Sequence, residues 1–369
     1  MAEDKQYIEG LNEYIRQGEP QEQERGRVWQ TAIGLQEVDG LKISPYLLET
    51  ARRHIEGDIT ISEAKQLIDT YYKSQAGRKE VGGERTEEAD KVSARITELL
   101  QEQTFNFSPA QLMSIHRRLF EGIYKFAGRI RDYNITKKEW VLRGETVYYA
   151  SADTISETLE YDIGQERNYN YEGKSIDEAI SHLTRFCANL WQIHAFGEGN
   201  TRSTAVFMIK YLKTLGFKVN NDLFATNSWY FRNALVRANY SNLQEGIIET
   251  TVFLERFFRN MLLGETTPLR NREMHLDWKS GIDPQSSNND PQSANSALLL
   301  PPKCKNCTLE EIAVLCVIQH EPTATQKSIA AEIGKSERTV KSITIRLTQQ
   351  GILVRKNGKR NGYWEIVKE

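Results

Sequence analysis

Nine residues, His194-Ala195-Phe196-Gly197-Glu198-Gly199-Asn200-Thr201-Arg202, constrain this 369-residue chain more than any other stretch. They join two segments of helical periodicity. Before them, Glu178–Ile193 sets Ile180, Leu183, Phe186, Cys187, Leu190 and Trp191 at helical spacing. After them, Ser203–Leu215 carries Val206, Phe207, Ile209, Tyr211 and Leu212. A Gly-rich loop that opens a helix presents free backbone N–H groups and the positive end of the helix dipole to an anion. Gly197, Gly199, Asn200 and Thr201 are therefore candidate phosphate-binding positions, and Arg202 adds a fixed cation. Glu198 is a candidate ligand for Mg²⁺ held against a phosphate. His194 can take a proton from an attacking hydroxyl near neutral pH. This set suits transfer chemistry on a nucleoside triphosphate. The plainer alternative is a packed loop with no chemistry.

At these residues the chain resembles the Fic family, whose motif is HxFx[DE]GNGRxxR. His194, Phe196, Glu198, Gly199, Asn200 and Arg202 match in place; Thr201 replaces the second Gly and Ala205 the second Arg. Leu112–Tyr149 looks like the family's helix, AG-x-x-R turn and flap hairpin, and Tyr230–Asn242 like its closing helix. The resemblance implies that His194 is the general base, which would deprotonate a Ser, Thr or Tyr hydroxyl of a target protein. That hydroxyl would attack the α-phosphate of ATP, leaving AMP on the target. Phe196 would anchor the loop, Glu198 would bind Mg²⁺, and Gly199, Asn200 and the Thr201 backbone would form the anion hole. Arg202 would clamp the β-phosphate. In the family the second Arg holds the γ-phosphate, and Ala205 cannot. Transfer of AMP, transfer from another nucleotide or with it inverted, and a degenerate nucleotide-sensing site all remain open.

Residues 20–75 read as three helices: Gln21–Glu37, one opened by Ser44-Pro45 and running through Ile55, and one capped by Ser62. Lys73–Glu88 reads as a linker. This region resembles the three-helix antitoxin module of Fic systems, in which an inhibitory Glu pairs with the second motif Arg. The aligned segment is Leu35–Gly40, with Asp39 in the place of that Glu. Asp39 is the regulatory candidate; with Ala205 opposite it, the inhibitory pair is altered on both sides and inhibition is expected to be lost or weakened.

Asn134–Ala150 alternates as a hairpin, with Arg143-Gly144-Glu145 as its turn. In the family this flap docks the target's extended segment by strand addition. Tyr230 and Asn233 are candidates for the nucleoside pocket, again by resemblance. The Arg129/Arg131 pair reads as structural.

The rest of the composition excludes more than it assigns. Net charge is −2 and 39% of residues are hydrophobic, the balance of a well-cored protein. No apolar run reaches a membrane-spanning length and no signal peptide is visible, so a cytoplasmic location is expected. Cys187 and Cys316 sit in apolar helical patterns, and Cys304-Lys305-Asn306-Cys307 is a lone CxxC short of a zinc set.

Residues 265–307 are rich in Pro, Ser, Asn and Asp and read as a linker. Beyond it, Leu309–His320, Thr325–Ile333 and a helix capped by Ser336 precede two short strands around Lys356–Gly362. This order resembles a winged helix-turn-helix. Arg338, Thr339 and Lys341 would face DNA from the third helix, and Lys356, Lys359 and Arg360 from the wing. Residues 308–369 hold ten Lys and Arg against seven Asp and Glu, a modest excess for a DNA binder. Dimerisation or protein contact is the alternative use.

The expectation is a mainly α protein: a helical antitoxin-like region over 1–76, a Fic core with a β-hairpin flap over 77–264, a linker over 265–307 and a winged helix over 308–369. Its expected cofactor is Mg²⁺ and its substrate ATP. Its expected partners are a target protein and DNA but no membrane, with a homodimer left open.

Overall fold

The computed structural model describes residues 11–75, 83–217, 222–278, 307–357 and 362–367. Helices α1 (Pro20–Gly34), α2 (Pro45–Glu56) and α3 (Ile61–Gln75) come first, with a 3₁₀ turn Leu35–Asp39 after α1. The core follows as α4 (Gly83–Gln101), α5 (Pro109–Phe120), α6 (Ile155–Asn168), α7 (Ile176–Ile193), α8 (Asn200–Thr214), α9 (Asp222–Ala238) and α10 (Val252–Leu263). Last come α11 (Leu309–His320), α12 (Gln326–Glu332), α13 (Glu337–Gln349) and an antiparallel pair, β1 (Leu353–Lys356) with β2 (Tyr363–Ile366).

Local chemistry starts several of these helices, at Ser44 and Ser336 where the sequence reading placed a cap. Ser44 caps α2 ahead of Pro45, Ser175 and Glu178 form a capping box on α7, and Ser336 caps α13; each such cap contributes about 1 kcal/mol. Three boundaries differ. Thr60, not Ser62, caps α3: its hydroxyl accepts the Glu63 N–H, and Glu63 accepts the Thr60 N–H in return. Part of the expected linker is the start of α4, whose Val92, Ile96, Leu99 and Leu100 are buried in the core. The later linker also begins as packed chain, with Met274 buried and the Leu276 N–H donating to the Val141 carbonyl. In both places buried apolar side chains outweigh a polar local composition.

The N-terminal helices close on their own cluster of Trp29, Ile33, Leu47, Ala51, Ile55 and Ile68. Asp90 of α4, fully buried, fastens them to the core. It accepts the Ser44 N–H at 2.9 Å and hydroxyl at 2.5 Å, and the Tyr72 hydroxyl at 2.6 Å. Gly34, at the end of α1, crosses α9 so closely that a Cβ would lie 2.3 Å from Ala225 Cα. That crossing brings the Leu35–Asp39 turn against α8 and α9. The winged-helix region touches the core where the Ile176 N–H donates to the Cys307 carbonyl.

The flap is a hairpin in outline only. Glu139 N–H donates to the Glu145 carbonyl and Arg143-Gly144 turn with positive φ, yet a 3₁₀ turn at Trp140–Leu142 replaces regular strands. Val141 and Leu142 are buried while Trp140 is exposed, so the alternation read from the sequence is broken at the tip.

Candidate functional site

Helix α7 ends on His194, whose left-handed backbone (φ 49°) is unusual for a residue with a Cβ. The bend turns its imidazole inward, where it is 3% exposed. Nδ1 lies 3.3 Å from the Trp191 carbonyl. A carbonyl only accepts, so Nδ1 carries the proton and Nε2 holds the lone pair. Nε2 is buried with no partner among the described residues. Burial holds the imidazole's pKa well below its ordinary value; nearby Lys137 adds to this and the Trp191 carbonyl opposes it. The ring of Tyr149, from the flap, lies over it at 4.1 Å between centroids. Arg131 is structural, as read: it donates to the carbonyls of His194 (2.8 Å), Tyr133 (2.7 Å) and Ala150 (2.5 Å).

The loop after His194 is braced from below. Phe196 is buried and stacks on His116 at 3.7 Å. His116 Nδ1 accepts the Gly128 N–H at 2.8 Å, so its Nε2 is the donor to the Glu198 carbonyl at 3.0 Å. That neutral form fits a pKa lowered to about 4 by burial. Sequence reasoning missed His116; its only signal was a polar residue on an apolar helix face. Asn200 closes the loop twice, accepting the Phe196 N–H at 2.9 Å and donating to the Phe196 carbonyl at 2.7 Å. Asn200 is thus a loop brace whose amide is already used.

Helix α8 begins at Asn200, with Gly199 as its cap. Gly199 has φ 77°, and a Cβ there would meet the Phe120 ring at 2.4 Å, so both backbone and space require glycine. Thr201 does not cap the helix. Its hydroxyl accepts the buried Trp191 indole N–H at 3.0 Å, which ties α7 to α8. Gly197 faces the Tyr133 hydroxyl, the movable end of an exposed side chain.

Arg202 is not open to a phosphate in this structure. Its side chain is 1% exposed and packs on Phe120, 4.7 Å from the ring centroid. One terminal nitrogen donates to Gln36 Oε1 at 3.0 Å, the other to Glu88 Oε1 at 2.7 Å and Tyr124 Oη at 3.4 Å. Asp39 Oδ2 lies 2.8 Å from Nε, in ion-pair contact but not aligned as a hydrogen bond. Burial opposes the charge, but Asp39, Tyr124 and Glu88 together keep the guanidinium pKa raised. Asp39 therefore has an arginine partner after all, the first motif Arg. Ala205, where the second was expected, is fully buried. Gln36 and Glu88 were not foreseen, because only the fold brings α4 and the 3₁₀ turn to α8.

Glu198 stands at the mouth. Its side chain is half exposed and its carboxylate meets Lys137 Nζ of the flap at 2.8 Å. One carboxylate beside a helix N-terminus suits Mg²⁺, which takes one or two protein carboxylates and completes its shell with phosphates and water. Among the described residues no group of three His, Cys, Asp or Glu is arranged to hold a metal, so an ion here would be held jointly with a nucleotide.

Tyr230 and Asn233 are not brought to this loop. Tyr230 donates to the Phe253 carbonyl at 3.2 Å and Asn233 to Asn271 Oδ1 at 2.7 Å, both in the core. The flap side of α9 instead carries Arg232, which grips the buried Glu139 at 2.6 and 3.1 Å and lies over Trp229.

In the winged-helix region Arg338 and Lys341 are exposed on α13. Thr339 is half buried, its hydroxyl 2.8 Å from Ser336 Oγ. Lys356 pairs with Glu365 across the strands at 3.2 Å. Lys359 and Arg360 lie outside the described residues, as does Cys304. No helix among the described residues is long and apolar enough to cross a membrane.

Comparison with known proteins matches two stretches of the chain. The Fic/DOC family model matches residues 106–212, and a winged helix-turn-helix DNA-binding model matches 311–354. A protein adenylyltransferase of Bartonella henselae is 27% identical over 142 residues, which cover 36% of this chain and 26% of that protein. The match thus spans about a quarter of the relative's length. A Fic family protein from Desulfovibrio desulfuricans G20, known as a crystal structure, aligns over 98% of this chain and 96% of its own at 12% identity, with a TM-score of 0.39. Residues 106–212 are therefore similar to the Fic/DOC family and residues 311–354 to a winged helix-turn-helix.

Proposed function

We propose that this protein transfers AMP from ATP to a Ser, Thr or Tyr hydroxyl of a target protein, and that the described conformation is its restrained state. The observation that carries the reading is the Nε2 of His194: buried, deprotonated and without a partner among the described residues. Leaving such an atom unmet costs about 1–3 kcal/mol, so a native site keeps one for a reason. A target hydroxyl placed there would give its proton to Nε2 as its oxygen bonds to the α-phosphorus and pyrophosphate departs. The Trp191 carbonyl, holding Nδ1–H, would stabilise the imidazolium that results. The backbone N–H groups that open α8 would meet the phosphate's charge, and Glu198 would hold Mg²⁺, whose chemistry is to neutralise charge on the phosphates.

Two contacts restrain the site. Tyr149 covers His194, and Arg202 is held by Asp39 and Glu88. For Arg202 to reach a nucleotide, the Asp39 segment would withdraw. Regulation through Asp39 is therefore part of the proposal.

The test is incubation of the full chain with Mg²⁺ and ATP labelled at the α- or the γ-phosphate, in host lysate, for wild type, Asp39→Ala and His194→Ala. Label from the α-phosphate on a protein band, stronger with Asp39→Ala and absent with His194→Ala, is expected. Label only from the γ-phosphate would replace AMP transfer with phosphoryl transfer. No label in either background would leave nucleotide sensing as the better account.

A second activity, DNA binding, is supported by α13. Arg338 and Lys341 are exposed there beside a Ser336-capped helix start. Affinity for duplex DNA that falls with salt is expected; salt-independent binding would sink this part.

A further inference from the structure

A nucleoside triphosphate brings several negative charges, and a site that binds it needs cations free to meet them. Around His194 nearly every cation is committed. Arg131 is occupied by backbone carbonyls and Arg232 grips Glu139 with both terminal nitrogens. Arg202 is buried between two carboxylates, Gln36 and Tyr124. Lys137 differs from all three. Its backbone N–H is pinned across the flap to Thr146 Oγ1 at 3.2 Å, while its ammonium reaches Glu198 at the mouth. An exposed pair of this kind is weakly held, and a lysine stem changes partner by bond rotation alone. The fields of Lys137, Arg131 and Arg232 all act on His194, which places Lys137 near the reacting centre.

Two cations thus claim one carboxylate, Lys137 in the described state and a divalent ion in the nucleotide-bound one. We infer that Lys137 is the phosphate-binding cation of this site: it rests on Glu198 and passes to the β- and γ-phosphates when Glu198 takes a divalent ion. This rests on the nucleotide-transfer reading above and names the residue that recognises the polyphosphate.

The experiment is calorimetric binding of β,γ-imido-ATP with Mg²⁺, and of AMP, to the full chain and to its Asp39→Ala variant. Lys137→Met and Lys137→Arg are made in each background. Lys137→Met should weaken imido-ATP roughly 10-fold, the scale of one hydrogen bond between charged groups, and leave AMP nearly unchanged. Lys137→Arg should restore most of the loss. Equal imido-ATP affinity in Lys137→Met, or equal loss for AMP and imido-ATP, would overturn the assignment and leave the nucleotide reading intact. If neither parent binds imido-ATP or AMP, the nucleotide reading falls and this inference with it. Urea midpoints matching the parents would show that the variants are folded.

Discussion

Two helix starts in this protein offer the same backbone device to an anion, and they are built in opposite ways. Helix α8 opens inside the core: Gly199 caps it, Asn200 locks the loop before it, and Arg202 in its first turn is sealed between Asp39 and Glu88. Helix α13 opens in water: Ser336 caps it, and Arg338 and Lys341 stand exposed with no ion pair among the described residues. The same residue type therefore has two meanings. A buried arginine between carboxylates holds the structure and must be released before it can bind a ligand. An exposed one contributes little to stability and is available at once. Buried donors give precise placement at the cost of access, whereas solvated ones give access without placement.

The sharpest way to break the comparison is to remove each cation. Arg202→Met should leave Asp39 and Glu88 uncompensated and cost about 3–5 kcal/mol, as for one partner of a buried ion cluster. Arg338→Met should stay within about 0.5 kcal/mol. Urea unfolding of both variants checks this, and equal losses would erase the distinction. Gly199→Ala comes next: positive φ and the Phe120 contact together should cost about 2–4 kcal/mol, whereas Ser336→Ala at the other helix start should cost about 1 kcal/mol.

Acid should act on the buried region alone. His54 and His116 have pKa values lowered to about 4, and His194 lies well below its ordinary value. Burial is the first cause in each case. A histidine neutral in the fold and charged when unfolded adds no penalty above pH 6.5. Below that the unfolded chain binds the extra protons, so stability falls as pH drops from about 6.5 towards 4. Unfolding followed at pH 7, 5.5 and 4.5 tests the direction. Transfer activity should not be lost near pH 6.5, because His194 stays neutral there; a rate that halves at that pH would show an exposed base.

The smallest effects sharpen the account of Thr201. Thr201→Val and Trp191→Phe should each cost about 1 kcal/mol through the same hydrogen bond, and the double variant less than their sum. Full additivity would mean that the contact contributes nothing. At α13, Arg338→Ala and Lys341→Ala should each lower the slope of log affinity against log salt by about 1.

Much of the architecture was legible in the residues. Ser44-Pro45 and Ser336 announce helices because a capping side chain acts within one turn. The His194–Arg202 loop is readable because a glycine-rich bend between two apolar stripes has few uses. The winged-helix order was readable for similar reasons, each element carrying its own start and stop. What failed was non-local. Glu88 sat in a stretch read as a linker, though α4 is buried through Val92 and Ile96. Tyr230 and Asn233 were named by resemblance alone; the contacts they make, with Phe253 and Asn271, come from helices and turns distant in the chain.

The sequence alone determined the glycine-rich His194–Arg202 bend between two helices and the placing of Ala205 where the motif has its second arginine, since these are matters of residue type at short range. Only the tertiary structure decided which carboxylates Arg202 meets, that Asp39 has a partner, and that Lys137 shares Glu198. These pairings join residues 61 (Lys137 with Glu198) to 163 (Asp39 with Arg202) positions apart. Their energies depend on burial and distance, which the order of residues along a chain does not contain.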